Sequence, residues 1–228
     1  MGDVKVQAKG ATKRFFRKGR DEARDFDAVS GVDLDLRAGE LVMLKGRSGS
    51  GKAKLLNMVA GLLEPSEGVV SFDGRDMYAL GDEELSELRN RAIGVIPQGH
   101  TALHSLTVIQ NVMLPSLMYR SDDLAEKRAF ELLEQLGIHH LADSYPPELS
   151  GGEVRRVAVA RALMCEPAVI LADEPTGDLD DANTEVVLSI LRAYADAGAA
   201  VLLVTHEKAA GSYADRILRM DAGKLAEP

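Results

Sequence analysis

Two periods of apolar spacing alternate along the chain. Val32, Leu34 and Leu36 alternate with Asp33 and Asp35, the pattern of a strand with one wet face. "LVMLKG", starting at Leu41, is apolar at consecutive positions, as expected of a strand covered on both sides. From Lys52 the spacing lengthens, and Leu55, Leu56, Val59 and Leu62 form a helical stripe that starts just after a glycine-rich turn. "GVVSFDG" reads as a short strand between glycines. "DEELSELRNR" carries acids in its first turn and bases at its end, as a helix dipole favours.

Helical spacing dominates from about Thr107 to Leu141, through Val108, Val112, Leu114, Leu124, Ala129, Leu132, Leu133 and Leu136, and predicts an inserted helical lobe. After it come a helix from Gly152, a buried strand at "AVILAD", a helix near Ala182 to Ala197, a strand at "AAVLLVTH" and a last strand near Asp215 to Met220. Strands alternating with helices predict an α/β fold, a mostly parallel sheet with helices on both faces. No internal repeat or low-complexity linker divides the chain, so one domain is expected over residues 1–228.

Composition narrows the partners. A net charge of −9 repels phosphodiester backbones, so nucleic acid is not expected as a partner. The apolar runs stay well short of the ~20 residues a membrane-spanning helix needs, and the N-terminus lacks the apolar stretch of a secretion signal. Met1-Gly2 has Val6 where a myristoylation site needs Ser or Thr. The single cysteine, Cys165, excludes an internal disulfide and fits the cytoplasm.

The chemistry begins at "GRSGSGK". Gly46, Arg47, Ser48, Gly49, Ser50, Gly51 and Lys52 form a G-x-x-x-x-G-K loop between a predicted strand and a predicted helix. Such a loop turns main-chain N–H groups toward phosphate oxygens at a helix N-terminus, and Lys52 adds a cation for the terminal phosphates. The next position departs from the pattern. Where Ser or Thr would offer a hydroxyl to Mg²⁺ stands Ala53, followed by Lys54. A water can take the vacant coordination position, at a cost of roughly ten- to a hundredfold in affinity. Lys54 in a first helical turn opposes the dipole unless a bound phosphate offsets it.

"AVILADEPTGDLD" ends a strand in Asp173 and Glu174, at the sheet edge where parallel α/β folds bind ligands. Neighbouring strand residues point oppositely, so distinct roles are expected. Asp173 would hold Mg²⁺ directly or through water, and Glu174 would polarise a water for attack on phosphorus.

"LSGGEVRRVAVARAL", from Leu149 to Leu163, closely resembles the signature of ABC ATPases, with Glu153 where Gln is commonest. Ser150, Gly151 and Gly152 precede a helix, so a free hydroxyl and exposed N–H groups would form an anion site. The resemblance extends over nearly the whole chain in the expected motif order. It implies a P-loop NTPase (RecA-like) fold with an N-terminal antiparallel β subdomain, a core from residues 1–97 and 159–228, and a helical subdomain from residues 98–158. It further implies ATP and Mg²⁺ as cofactors, and a dimer of nucleotide-binding subunits in which Ser150, Gly151, Gly152, Glu153 and Asp180 contact ATP or the phosphate loop of the opposite subunit. Gln98 in "GVIPQG" would sense Mg²⁺ and the attacking water, and His206 in "LLVTHE" would bond the terminal phosphate. Phe15 in "TKRFF" would stack on adenine, with Phe16 a competing choice. His100, His104, His139 and His140 suggest no zinc site.

"ATKRF", "LNMVAGLLEPSEG", "TVIQNVMLPSLMYR" and "LADEPTGDLD" are most similar to ATPases of bacterial lipoprotein-release, macrolide-efflux and antimicrobial-peptide export systems. That similarity implies a membrane permease as partner and a place on the inner face of the cell membrane. The alternative that Ala53 leaves open is an ATP-binding clamp with little hydrolysis.

Overall fold

The structure, a computed structural model, describes residues 2–18, 23–99, 101–119 and 124–226. The chain starts with two long antiparallel strands, β1 (Val4–Lys18) and β2 (Ala23–Arg37), and then crosses the molecule as β3 (Leu41–Lys45). Helix α1 (Lys52–Val59) follows, then β4 (Glu67–Phe72), β5 (Arg75–Asp76), α2 (Asp82–Ala92) and β6 (Ile93–Ile96). The helical lobe contributes α3 (Val108–Tyr119), α4 (Ala125–Gln135) and α5 (Gly151–Leu163). The chain closes with β7 (Val169–Asp173), α6 (Asp181–Asp196), β8 (Ala200–Val204), β9 (Arg216–Asp221) and β10 (Lys224–Ala226).

Two sheets result. An antiparallel sheet has the order β2-β1-β4-β5, and a six-stranded sheet has the order β10-β9-β3-β8-β7-β6. In the larger sheet every pairing from β9 to β6 is parallel, and β10 alone runs antiparallel at its edge. Strand order places β3 between β8 and β9, both far away in sequence, so the carboxyl ends of β3, β8, β7 and β6 open at one edge of the sheet.

The period-two rule explains why consecutive apolar residues were needed in these strands. On one face Met43, Ile170, Ala172, Val201 and Leu203 pack with Val157 and Ala160 of α5 and Val187, Leu188 and Leu191 of α6. On the other face Val42, Leu44, Leu171, Leu202 and Val204 pack with Leu55 and Val59 of α1 and with Val6, Val29, Leu34 and Leu36 of the antiparallel sheet. A polar residue at any of these positions would face one core or the other.

Some expectations fail locally. Leu62 does not extend the α1 stripe: the helix ends at Val59, Gly61 turns the chain at a φ of 69°, and Leu62 is 55% exposed. Leu124 precedes α4 and is also exposed. β1 alternates over Val4, Val6 and Ala8 before its register against β2 becomes irregular, and β10 has only three residues. Among the described residues no helix is long and apolar enough to cross a membrane.

The approach of α5 to β6 is set by Gly94. A Cβ at that position would lie 2.4 Å from the carbonyl oxygen of Ala162, a backbone atom that cannot swing aside. Gly94→Ala should therefore push α5 off the sheet and lower stability by about 1–3 kcal/mol, read as a lower urea midpoint with an unchanged slope.

Candidate nucleotide site

Between β3 and α1 the chain must turn around empty space rather than around a side chain. Gly49 and Gly51 have φ of 77° and 106°, the left-handed region that glycine enters at little cost. Gly51 also lies so close to the Ala28 carbonyl that a Cβ would be 2.2 Å from its oxygen, which holds the loop against β2. Gly223 N–H donates to the Ser50 carbonyl at 3.0 Å, tying the loop to the β9–β10 turn. The N-terminus of α1 has no side-chain cap and no acid in its first turn, so its partial positive charge faces the cavity. Lys52 Nζ folds back to donate to the carbonyls of Gly46 (2.7 Å) and Arg47 (3.0 Å).

A cavity of about 630 Å³ lies over this loop, large enough for a nucleotide. Ser48, Gly49, Ser50, Gly51, Lys52, Ala53 and Lys54 form its floor, and Gln98, Asp173, Glu174 and His206 form one wall. Phe15, Phe16, Phe26 and Ala28, from the antiparallel sheet, form the opposite wall.

The two carboxylates share this cavity although neighbouring strand residues point oppositely. β7 ends at Asp173, and Glu174 enters the left-handed region at a φ of 49° while its N–H donates to the Val204 carbonyl at 2.8 Å. That turn redirects the Glu174 side chain to within 3.4 Å of His206 Nε2. Burial raises the Asp173 carboxyl above the usual carboxylate range, as does the Glu174 charge, while Lys52 and Arg155 pull it back down. The fold therefore holds an anion it disfavours, next to a second one.

The sequence reasoning missed Phe26. In the β1–β2 register Phe15 faces Phe26, and the two rings stack with centroids 6.0 Å apart. Pairing the two strands by their hairpin register would have found it. Lys54 has a partner the sequence did not suggest: its Nζ lies 5.3 Å from the centre of the Phe15 ring. Lys13 Nζ approaches the same ring at 5.8 Å.

Ser150, Gly151, Gly152, Glu153 and Asp180 do not line this cavity. Ser150 caps α5, but its hydroxyl is not free. It accepts from Glu153 N–H at 3.4 Å and donates to Glu153 Oε2 at 2.7 Å, and Ser150 N–H donates to the same oxygen at 2.7 Å. The hydroxyl and the backbone N–H of Ser150 hold the Glu153 carboxyl below the usual range. The α5 terminus thus already carries a carboxylate. Asp180 caps α6 in the same way, accepting from Asn183 N–H at 2.8 Å. Leu179 rests on Gly152, where a Cβ would be 3.1 Å from its Cδ2.

For a metal, the donor set in the cavity is the Asp173 carboxylate and the Gln98 amide, and position 53 offers only a methyl group. These fit Mg²⁺, which keeps several waters, with one protein donor fewer than the loop pattern normally supplies. Among the described residues no cluster of three or more His, Cys, Asp or Glu residues is arranged to hold a metal. His100 lies outside the described residues.

A glycine cradle at a helix N-terminus, a lysine beside it and paired carboxylates at the ends of parallel strands define a P-loop nucleoside triphosphatase. Residues 29–177 match the family described as ABC transporter. The chain is 43% identical over 203 residues, 88% of its length, to the lipoprotein-releasing system ATP-binding protein LolD of Myxococcus xanthus, covering 91% of that protein. It is 39% identical over 226 residues, 99% of its length, to a probable syringafactin export ATP-binding/permease protein of Pseudomonas syringae pv. syringae, of which it covers 34%. A dimeric ATP-binding cassette, solved in a post-hydrolysis state with ADP and Pi, superposes with a TM-score of 0.90 at 34% identity over 97% of this chain and 98% of that one. The chain belongs to the ABC transporter family. Within it, the chain is an ATP-binding and ATP-hydrolysing subunit.

The two aromatic candidates separate by exposure, since Phe15 is half-buried and Phe16 is 66% exposed. Phe15→Ala should weaken ATP binding by about 1–3 kcal/mol, the usual worth of a base stacked on an aromatic ring, and Phe16→Ala by less than about twofold, both measured by calorimetry.

Proposed function

We propose that two copies of this chain close head to tail around two ATP molecules and so drive a membrane permease of the release or export type, with a lipoprotein, peptide or drug-like cargo. The observation that carries the reading is the single cavity in which the phosphate loop meets Asp173, Glu174, Gln98 and His206. The loop N–H groups and Lys52 bind and orient the triphosphate, and the adenine stacks on Phe15. Glu174 takes a proton from the attacking water, and His206, 3.4 Å from Glu174, steadies the terminal phosphate. Asp173 and Gln98 would hold Mg²⁺, which when bound neutralises charge on the phosphate oxygens. Ser150, Gly151 and Gly152 of one copy close on the ATP of the other, and Asp180 meets the partner's phosphate loop. Each half-site alone is incomplete, so nucleotide turnover reports dimer closure.

The permease would dock beside the lobe. Two adjoining clefts, of about 360 and 390 Å³, meet at Asn90, Pro115 and Cys165 between α2, α3 and the turn after α5. Leu62, Leu117, Met118 and Tyr119 expose apolar surface, as a helix of a membrane partner would require. Such docking would put the chain on the cytoplasmic face of the membrane.

Glu174→Gln should reduce kcat by about 10²–10⁴-fold and leave an ATP-bound dimer that elutes early in size-exclusion chromatography. Normal turnover in that variant would contradict the assignment. Ala53→Ser restores the missing hydroxyl and should raise Mg²⁺-dependent affinity for ATP by about tenfold in titrations with and without chelator.

A further inference from the structure

Arg155 is 4% exposed, on the buried face of α5, and forms no ion pair with a carboxylate among the described residues. Its Nη1 instead donates to the carbonyls of Pro97 (3.0 Å) and Gly99 (3.3 Å), the residues on either side of Gln98. Its Nε, also buried, has no partner. Its Nη2 lies beside the turn after Glu174, 3.8 Å from where a Cβ on Gly177 would stand. One guanidinium thus joins three segments: α5, residues 97–99, and residues 174–177.

A buried cation with no carboxylate at ion-pair distance is expensive, and two neutral acceptors together with the more distant charge of Asp173 offset only part of the cost. Those acceptors flank one exposed residue of the site. For both carbonyls to face a single nitrogen the chain must curl around Gln98, which Gly99 permits with a φ of 90°. The curl turns the Gln98 side chain away from Arg155 and toward the cavity that holds Asp173 and Glu174. On the same helix Ser150 stands five residues earlier, about 7.5 Å along the axis at 1.5 Å per residue.

We infer that Arg155 is a positioning residue for hydrolysis: it fixes the Gln98 peptide to α5, so that displacement of the Ser150–Gly152 end by a partner's nucleotide shifts Gln98 within the chain's own site. The inference rests on the proposed role of Gln98, and it adds a mechanical link between the contact made to the partner and the attacking water in the chain's own site. Binding of nucleotide uses the loop and Phe15, which Arg155 does not touch.

The test is a double-mutant cycle on the full chain, with steady-state kinetics, ATP affinity by calorimetry and Tm for Arg155→Gln, Arg155→Lys, Gln98→Ala and the Arg155→Gln/Gln98→Ala pair. Arg155→Gln should lower kcat by about tenfold with ATP affinity within about twofold, and should add nothing to the loss in the Gln98→Ala background. Arg155→Lys, which can still reach one carbonyl, should recover part of kcat, and it carries the same cycle where Arg155→Gln fails to fold. Multiplied losses in the pair, or an unchanged kcat in folded Arg155→Gln protein, would overturn the inference. Gln98→Ala alone reports on the parent reading, since an unchanged kcat there removes the role of Gln98 itself.

Discussion

Negative charge has to be concentrated at one edge of the sheet, and the rest of the fold answers that constraint. Asp173 is a carboxylate that burial disfavours, Glu174 adds a second charge, and a triphosphate would bring several more. Against them stand Lys52, the uncapped N-terminus of α1, and Arg155 from behind. The parallel order β9-β3-β8-β7-β6 is what brings these groups together, because it ends all five strands at the same edge although their loops are far apart in sequence. A chain whose net charge is −9 gathers its cations locally to receive an anion.

The two helix termini with a phosphate role in the proposed mechanism are built differently. α1 begins with a bare glycine and leaves its N–H groups to the cavity, whereas α5 begins with a reciprocal Ser150–Glu153 box that occupies the N–H groups of Ser150 and Glu153. Because Glu153 titrates below the usual carboxylate range, that box is intact above the range and is lost only as the pH falls through the lowered value. At neutral pH a phosphate arriving at α5 therefore meets a carboxylate and must displace it. In the proposed mechanism the loop of one copy would take nucleotide alone, while the α5 terminus would accept it only when a whole partner surface compensates. Ordered binding, nucleotide first and closure second, would follow from this difference in caps.

Much of this was legible in the residues, and the exceptions share a cause. Consecutive apolar runs gave away β3, β7 and β8 because burial on both faces leaves no room for polar alternation. The glycine loop and the Asp173–Glu174 pair were legible because their chemistry demands particular residue types. Features that depend on distant backbone were not. The left-handed turn at Glu174 rests on a bond to Val204, Phe26 becomes relevant only through its register with Phe15, and Arg155 looks like one more helix charge until the carbonyls of Pro97 and Gly99 are seen beside it. Leu62 misled because a helical stripe has no mark of its own end, and the end here was set by the turn at Gly61.

The substitution at the loop brings these threads together. Ala53 withdraws a metal donor, and Lys54 beside it places its ammonium over Phe15. An adenine stacking on that ring would compete with Lys54 for it, and a displaced Lys54 has the triphosphate as its nearest source of negative charge. Base recognition and charge neutralisation would then be coupled through one side chain: seating the base frees a cation for the phosphates. The hydroxyl missing at position 53 would weaken the hold on the metal, while a freed lysine at position 54 would strengthen the hold on the nucleotide. Such a site would favour nucleotide retention over metal retention, and the balance between the two would set how long a closed dimer persists before turnover.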